Sequence, residues 1–197
     1  MAQAWVRGYQ GNDLSADTTL MACVKHYALY GAAEAGRDYN TVDMSRVTAM
    51  NYYMRPYQAA VEAGVGSIMT SFNEFESIPA TGNTWLLNDV LRKQWGFNGF
   101  VVSDFTAIAE MVNHGIGNSQ EVGVKALKAG VDMDMIADCY HAVLKKSLEE
   151  GKITEAEIDS ACRRILIAKY QLGLFHDPYK YCNPKRAAKE FLSVNNV

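Results

Sequence analysis

Four short apolar runs recur along the chain, and each breaks off in polar or ionisable side chains. They are "LMACVKHY" (20–27), "VGSIMTSFNE" (65–74), "GFVVSDF" (99–105) and "AGVDMDMI" (129–136). Continuous apolar stretches of this length suit strands covered on both faces, as in a parallel sheet; a strand with one wet face would alternate. Between them lie segments with helical punctuation. Asp43 is placed to cap a helix through about Met54, and Pro56 to begin another that stops at Gly64. Asn83 precedes "TWLLNDVLRKQW", which Gly96 ends, and Ser119 opens "QEVGVKALKA", which Gly130 closes. "CYHAVLKKSLEE" runs to Gly151, and Thr154 with Glu157 has capping-box spacing ahead of "EIDSACRRILIAKYQLG".

Alternating strand and helix predict an α/β fold with a parallel sheet, either open and doubly wound or part of a (β/α)8 barrel. After the first interval the strand ends recur at about one βα unit, near ~30 residues. No GxGxxG follows the first run and no phosphate-loop lysine is present, so the barrel is favoured. Four strands make half of one, over residues 1–178. The polar segment "PYKYCNPKRAAKEFLSVNNV" holds no strand, and 179–197 reads as a linker-like tail.

With 49% hydrophobic and 21% charged residues, a chain of 197 residues can build one substantial core. A net charge of −3 gives no footprint for nucleic acid or an anionic membrane surface. No apolar stretch approaches the ~18–20 residues of a membrane span. The start, "MAQAWVRGYQGNDL", lacks the basic and apolar regions of a signal peptide, and the compartment stays unassigned. Cys23, Cys139, Cys162 and Cys182 form no CxxC pair, and His114, His141 and His176 have no metal-site spacing. Neither metal nor cofactor is expected.

In both architectures chemistry gathers at the carboxyl ends of the strands. Asp104 there can be a nucleophile, a general base, a metal ligand or a cap for the next helix. Lys25 can orient a hydroxyl, form a Schiff base or pair with a buried acid, and His26 can bind a ligand or sit in the core. Together the three suggest a polar-ligand site. Phe72 offers a face for a sugar or for core packing. Asp132 and Asp134 alternate with methionines, so a strand would send both carboxylates to one face, with Asp134 near the mouth or structural. The loop "YALYGAAEAGRDYNT" reads as solvated, with Arg37 and Asp38 as a pair.

The ordered motifs "VKHYALYG", "GSIMTSFNE" with "IPATGN", "LRKQWGFNGFVVSDF", "AGVDMDM" and "ACRRILIAKYQLGLFHDPY" carry a resemblance. Over roughly residues 3–182 the sequence resembles the second half of the barrel domain of glycoside hydrolase family 3 β-glucosidases. That resemblance implies a partial TIM (β/α)8 barrel comprising strands five to eight with their helices. It implies retaining, exo-acting hydrolysis of O-glycosyl bonds in a β-glucoside or oligosaccharide, without a cofactor. Asp104 falls on the family's nucleophile, Lys25 and His26 on its sugar-binding Lys-His pair, and Phe72 on the aromatic beside the nucleophile. Members of this kind are often periplasmic or secreted.

The sequence departs from the family where Asn-Gly or Asp-Gly is usual and Glu76-Ser77 stands, and where Phe105 replaces Trp or Tyr. The loop after His26 lacks the histidine of the N-acetylglucosaminidase branch. In the β-glucosidase branch the acid/base glutamate comes from a second domain, and Glu74 is the best internal candidate. The expectation is therefore a fragment, inactive alone. The alternative is a non-catalytic half-barrel, a sugar-binding or assembly module that pairs with itself or with a complementary half. A Schiff-base lyase using Lys25 is a third, disfavoured option.

Overall fold

The computed structural model describes residues 1–191 and 193. Its strands are β1 (Cys23–Tyr27), β2 (Thr41–Val42), β3 (Ser67–Thr70), β4 (Glu74–Phe75), β5 (Ile78–Pro79) and β6 (Phe100–Val102). The central sheet is parallel in the order β1-β3-β6, with Cys23 opposite Ser67 and Ser67 opposite Phe100. A smaller sheet, β2-β4-β5, pairs β2 with β4 in parallel and closes β4 on β5 as an antiparallel hairpin.

The fourth expected strand is reduced to one parallel bridge, Val102 to Met133. Asp132 supplies the reason. Its carboxylate takes the Val101 N–H at 2.8 Å, a donor that a neighbouring strand's carbonyl would otherwise accept. The two carboxylates also part company: Asp132 is buried against Arg92 and Arg164, whereas Asp134 accepts the Tyr140 N–H at 3.1 Å.

Helices Arg55–Glu62, Trp85–Gln94, Ser119–Ala129, Cys139–Glu149 and Glu155–Gln171 follow the punctuation closely, and a further helix, Ala2–Gln10, precedes β1. The Thr154–Glu157 capping box forms in both directions, at 2.7 and 3.3 Å. Two caps shift. Ser45, not Asp43, caps the Arg46–Thr48 turn, and Asn118, one residue before Ser119, forms its own box with Glu121. Trp85–Gln94 is wound wide, as a π-type helix, and Trp95 N–H reaches the Val90 carbonyl five residues back at 3.0 Å. Gly130 ends its helix at φ 110°, and a Cβ there would meet Asn88 Oδ1 at 2.9 Å.

The core lies between the central sheet and these helices. Ile68 and Val101 from the sheet meet Leu86, Leu87, Val90 and Leu91 from the π-type helix, all essentially inaccessible. Each such side chain contributes roughly 1.5–3 kcal/mol by leaving water. Gln10 joins helix to sheet with every polar atom of its amide: Nε2 donates to the Gly64 carbonyl, and Oε1 accepts from Ala22 and Gly66. The expectation of strands covered on both faces fails at β1, where Cys23 and Lys25 are exposed.

The tail continues into a helix, Pro184–Glu190, and lies against the loop after the first helix. Tyr181 donates to the Leu14 carbonyl, Lys180 to that of Ser15 and Arg186 to that of Asp17. The last part of the segment read as a linker, 192 and 194–197, lies outside the described residues. Among the described residues no helix is long and apolar enough to cross a membrane.

Candidate active site

The β6 strand ends in Ser103 and Asp104, and both are held by the segment that follows the Met133 bridge. Ser103 N–H donates to the Met133 carbonyl at 2.9 Å, Ser103 Oγ accepts the Met135 N–H at 2.8 Å, and Thr106 N–H donates to the Met135 carbonyl at 3.1 Å. Asp104 is thus pinned on either side along the chain. Its Oδ1 accepts the N–H of Phe105 at 2.7 Å. Its Oδ2 is buried, makes no hydrogen bond, and lies 3.3 Å from His26 Nε2. A carboxylate oxygen without a donor, fixed at a strand end, has its lone pairs free for an incoming atom.

His26 reaches it from the end of β1, across β3, which lies between the two strands. Tyr57 donates to the His26 carbonyl at 2.7 Å, and buried Tyr27 anchors the strand through a 2.8 Å bond to the Leu86 carbonyl. Burial lowers the His26 pKa from its ordinary 6.5; Asp104 opposes that shift and Lys25 reinforces it. The imidazole is therefore neutral at pH 7, with one N–H to give. Lys25 is exposed, close enough for its charge to act on His26.

Phe72 is half-buried and belongs to an aromatic wall. It packs on Tyr39 at 4.6 Å between ring centroids and on Tyr30 at 6.4 Å, and Tyr30 in turn lies 4.9 Å from the His26 ring. Burial and then a hydrogen bond to Asp38 raise the Tyr30 pKa, so its hydroxyl stays protonated. Asp38 therefore serves Tyr30, where the sequence suggested a pair with Arg37. Phe105 is 56% exposed beside Asp104, an apolar face open to a ligand.

His26 and Asp104 thus meet at the carboxyl ends of β1 and β6, Lys25 stands next to His26 with its charge in reach, and Phe72 joins them through Tyr30. Sequence reasoning missed Tyr30, Tyr39 and the pairing of His114 with Glu74, 2.6 Å apart. A loop tyrosine has no periodicity to mark it, and His114 meets its partner across 40 residues of chain. Among the described residues no three His, Cys, Asp or Glu side chains are placed to hold a metal.

The chain matches the family described as "Glycosyl hydrolase family 3 N terminal domain" over residues 1–168. It is 46% identical to a periplasmic β-glucosidase from Salmonella typhimurium over 188 residues, covering 95% of this chain and 25% of that protein. A β-xylosidase from Formosa agariphila is 38% identical, with 89% and 26% covered. An aspartate-to-alanine variant of a β-glucosidase from Listeria innocua, solved with laminaribiose, superposes with a TM-score of 0.94 at 44% identity, covering 98% of this chain and 27% of that one. The chain therefore spans about a quarter of the length of the relatives it matches. Sequence, sheet and strand-end site lead to one conclusion: this chain belongs to the glycoside hydrolase family 3 N-terminal domain family.

Proposed function

We propose that this chain is the nucleophile-bearing half of a (β/α)8 barrel in a retaining, exo-acting β-glucosidase, with Asp104 as the nucleophile. The observation that carries the reading is the free, buried Oδ2 of Asp104 beside His26 at the strand ends. The sheet order, which follows the chain without reversal, supports the barrel over a doubly wound sheet.

In this reading Asp104 Oδ2 attacks the anomeric carbon and forms a glycosyl ester. The bond from that carbon to the leaving oxygen breaks, and its electron pair departs with the oxygen. A natural alkoxide leaving group needs a proton from an acid/base outside the described residues. Water later attacks the same carbon and frees the carboxylate. Lys25 and His26 grip sugar hydroxyls, and a charge-assisted bond of the Lys25 kind is worth roughly 1.5–3 kcal/mol. Phe72 and its neighbours supply an apolar wall for the ring face. The periplasmic naming of the Salmonella relative supports a periplasmic setting for the parent enzyme.

A leaving group that needs no proton isolates the first step from the missing acid. Incubation with a 2,4-dinitrophenyl 2-deoxy-2-fluoro-β-glucoside should leave one fluoroglucosyl group on the chain, mapped by mass spectrometry to Asp104. The Asp104→Asn variant should carry none. An adduct elsewhere, or none on the unaltered chain, would sink the nucleophile assignment. The alternative reading, a non-catalytic sugar-binding or assembly module, draws on the exposed side of β1. It predicts reversible sugar binding with no adduct, so the same experiment separates the two.

A further inference from the structure

One wall of the site is built from two segments far apart in the chain: the small β2-β4-β5 sheet, and the stretch of residues 105–118 that follows Asp104. A short side-chain contact crosses between them. Glu74, in β4, meets His114 with Oε1 and Nδ1 2.6 Å apart, and the two side chains are only 23% and 13% exposed. Tyr39, two residues ahead of β2, feels the charge of Glu110 from the same side of the site, which after burial helps keep its phenol protonated.

Each side behaves as a unit. β2 and β4 are paired, with Thr41 opposite Glu74, so Tyr39 and Glu74 share one platform. Across from it, Thr106 Oγ1 donates to Glu110 Oε1 at 2.5 Å, and turns from Glu110 to Asn113 and from Val112 to Gly115 hold His114 beside Glu110. The Glu74–His114 contact ties one platform to the other. What it sets is plain from the neighbours. Tyr39 stacks on Phe72, and Asp104 begins the opposite segment.

We infer that the Glu74–His114 contact is a latch that positions the Tyr39–Phe72 wall against Asp104, with Glu74 and His114 as positioning residues for sugar binding. The inference rests on the reading of Asp104 as nucleophile. It also gives Glu74 a task other than proton donation, since His114 occupies its carboxylate.

The labelling reaction tests it when run over a range of reagent concentrations. Glu74→Ala and His114→Ala should each raise the half-saturating concentration about tenfold while the maximal labelling rate stays within about twofold, the pattern of lost binding geometry rather than lost chemistry. Glu74→Gln, which keeps an acceptor, should restore most of the difference. The double variant should be no worse than either single one, because the two residues act through one contact. Hydrogen exchange followed by mass spectrometry on the same 197-residue chain, without reagent, supplies an independent readout. Losing the latch should speed exchange in 39–42, 72–79 and 105–116 together and leave Glu155–Gln171 unchanged. An unaltered half-saturation, or faster exchange confined to the substituted segment, would overturn the latch. If the unaltered chain takes no label, the nucleophile reading fails, and exchange alone decides the latch.

Discussion

His26 shows how far one side chain's surroundings reach. Burial is the largest influence on its pKa and pushes it below 6.5, against the pull of Asp104. With the folded value below the unfolded one, the unfolded chain holds more protons between the two, so stability falls as pH drops through that window. Melting temperatures between pH 8 and pH 5 should therefore decline in part through His26, and His26→Gln should flatten the part of the decline just below pH 6.5. An identical pH profile in that variant would show that His26 does not titrate differently on folding. Asp104, Lys25 and His26 were legible in sequence because a strand end is a local feature, an apolar run that stops in polar residues. Tyr39 and His114 were not, since only the packed fold brings their partners within reach.

At the scale of elements, the β4–β5 hairpin turns on Glu76 and Ser77, at φ 54° and 62°. Two central residues with positive φ define the turn that Asn-Gly fills most easily, and non-glycine residues there are strained. The departure from the family's usual residues therefore keeps the tight turn and places strain in it. Arg46 grips Glu76 through two bonds, at 2.8 and 2.6 Å, but both side chains are largely exposed and such pairs contribute little. Ser77→Gly should stabilise the chain by about 1 kcal/mol, a rise of roughly 2–4 °C in Tm for a chain of this size. A lower Tm would mean that Ser77 makes up for its strain in some other way. The same scale explains why helix ends were read well and the last strand was not. Thr154 and Glu157 cap a helix within four residues, whereas the run at 129–136 fails as a strand because one of its own side chains takes a ladder donor.

At the scale of the whole molecule, Asp132 joins parts of the chain that no local pattern connects. Its oxygens lie 2.6 Å from Arg92 of the π-type helix and 2.6 Å from Arg164 of the helix Glu155–Gln171, and 2.8 Å from the N–H of Val101 in β6. Arg92 also donates to the carbonyls of Gly99 and Gly130, at 3.1 and 3.3 Å, closing the node around the start of β6. Burial pushes the Asp132 carboxyl up and the Arg92 guanidinium down, while each charge favours the other's ionised form. Such a cluster adds less stability than its short distances suggest, but removing its shared member strands a buried guanidinium. Asp132→Ala should therefore cost about 3–5 kcal/mol in chemical denaturation. Arg164→Ala should cost clearly less, because Arg164 is half-buried and Asp132 keeps Arg92. Equal losses in the two variants would refute the ranking and make Arg164 as much a part of the node as Asp132. The node stands two residues before Asp104's own anchor at Ser103, so the site inherits its rigidity from an ion cluster that takes no part in the chemistry.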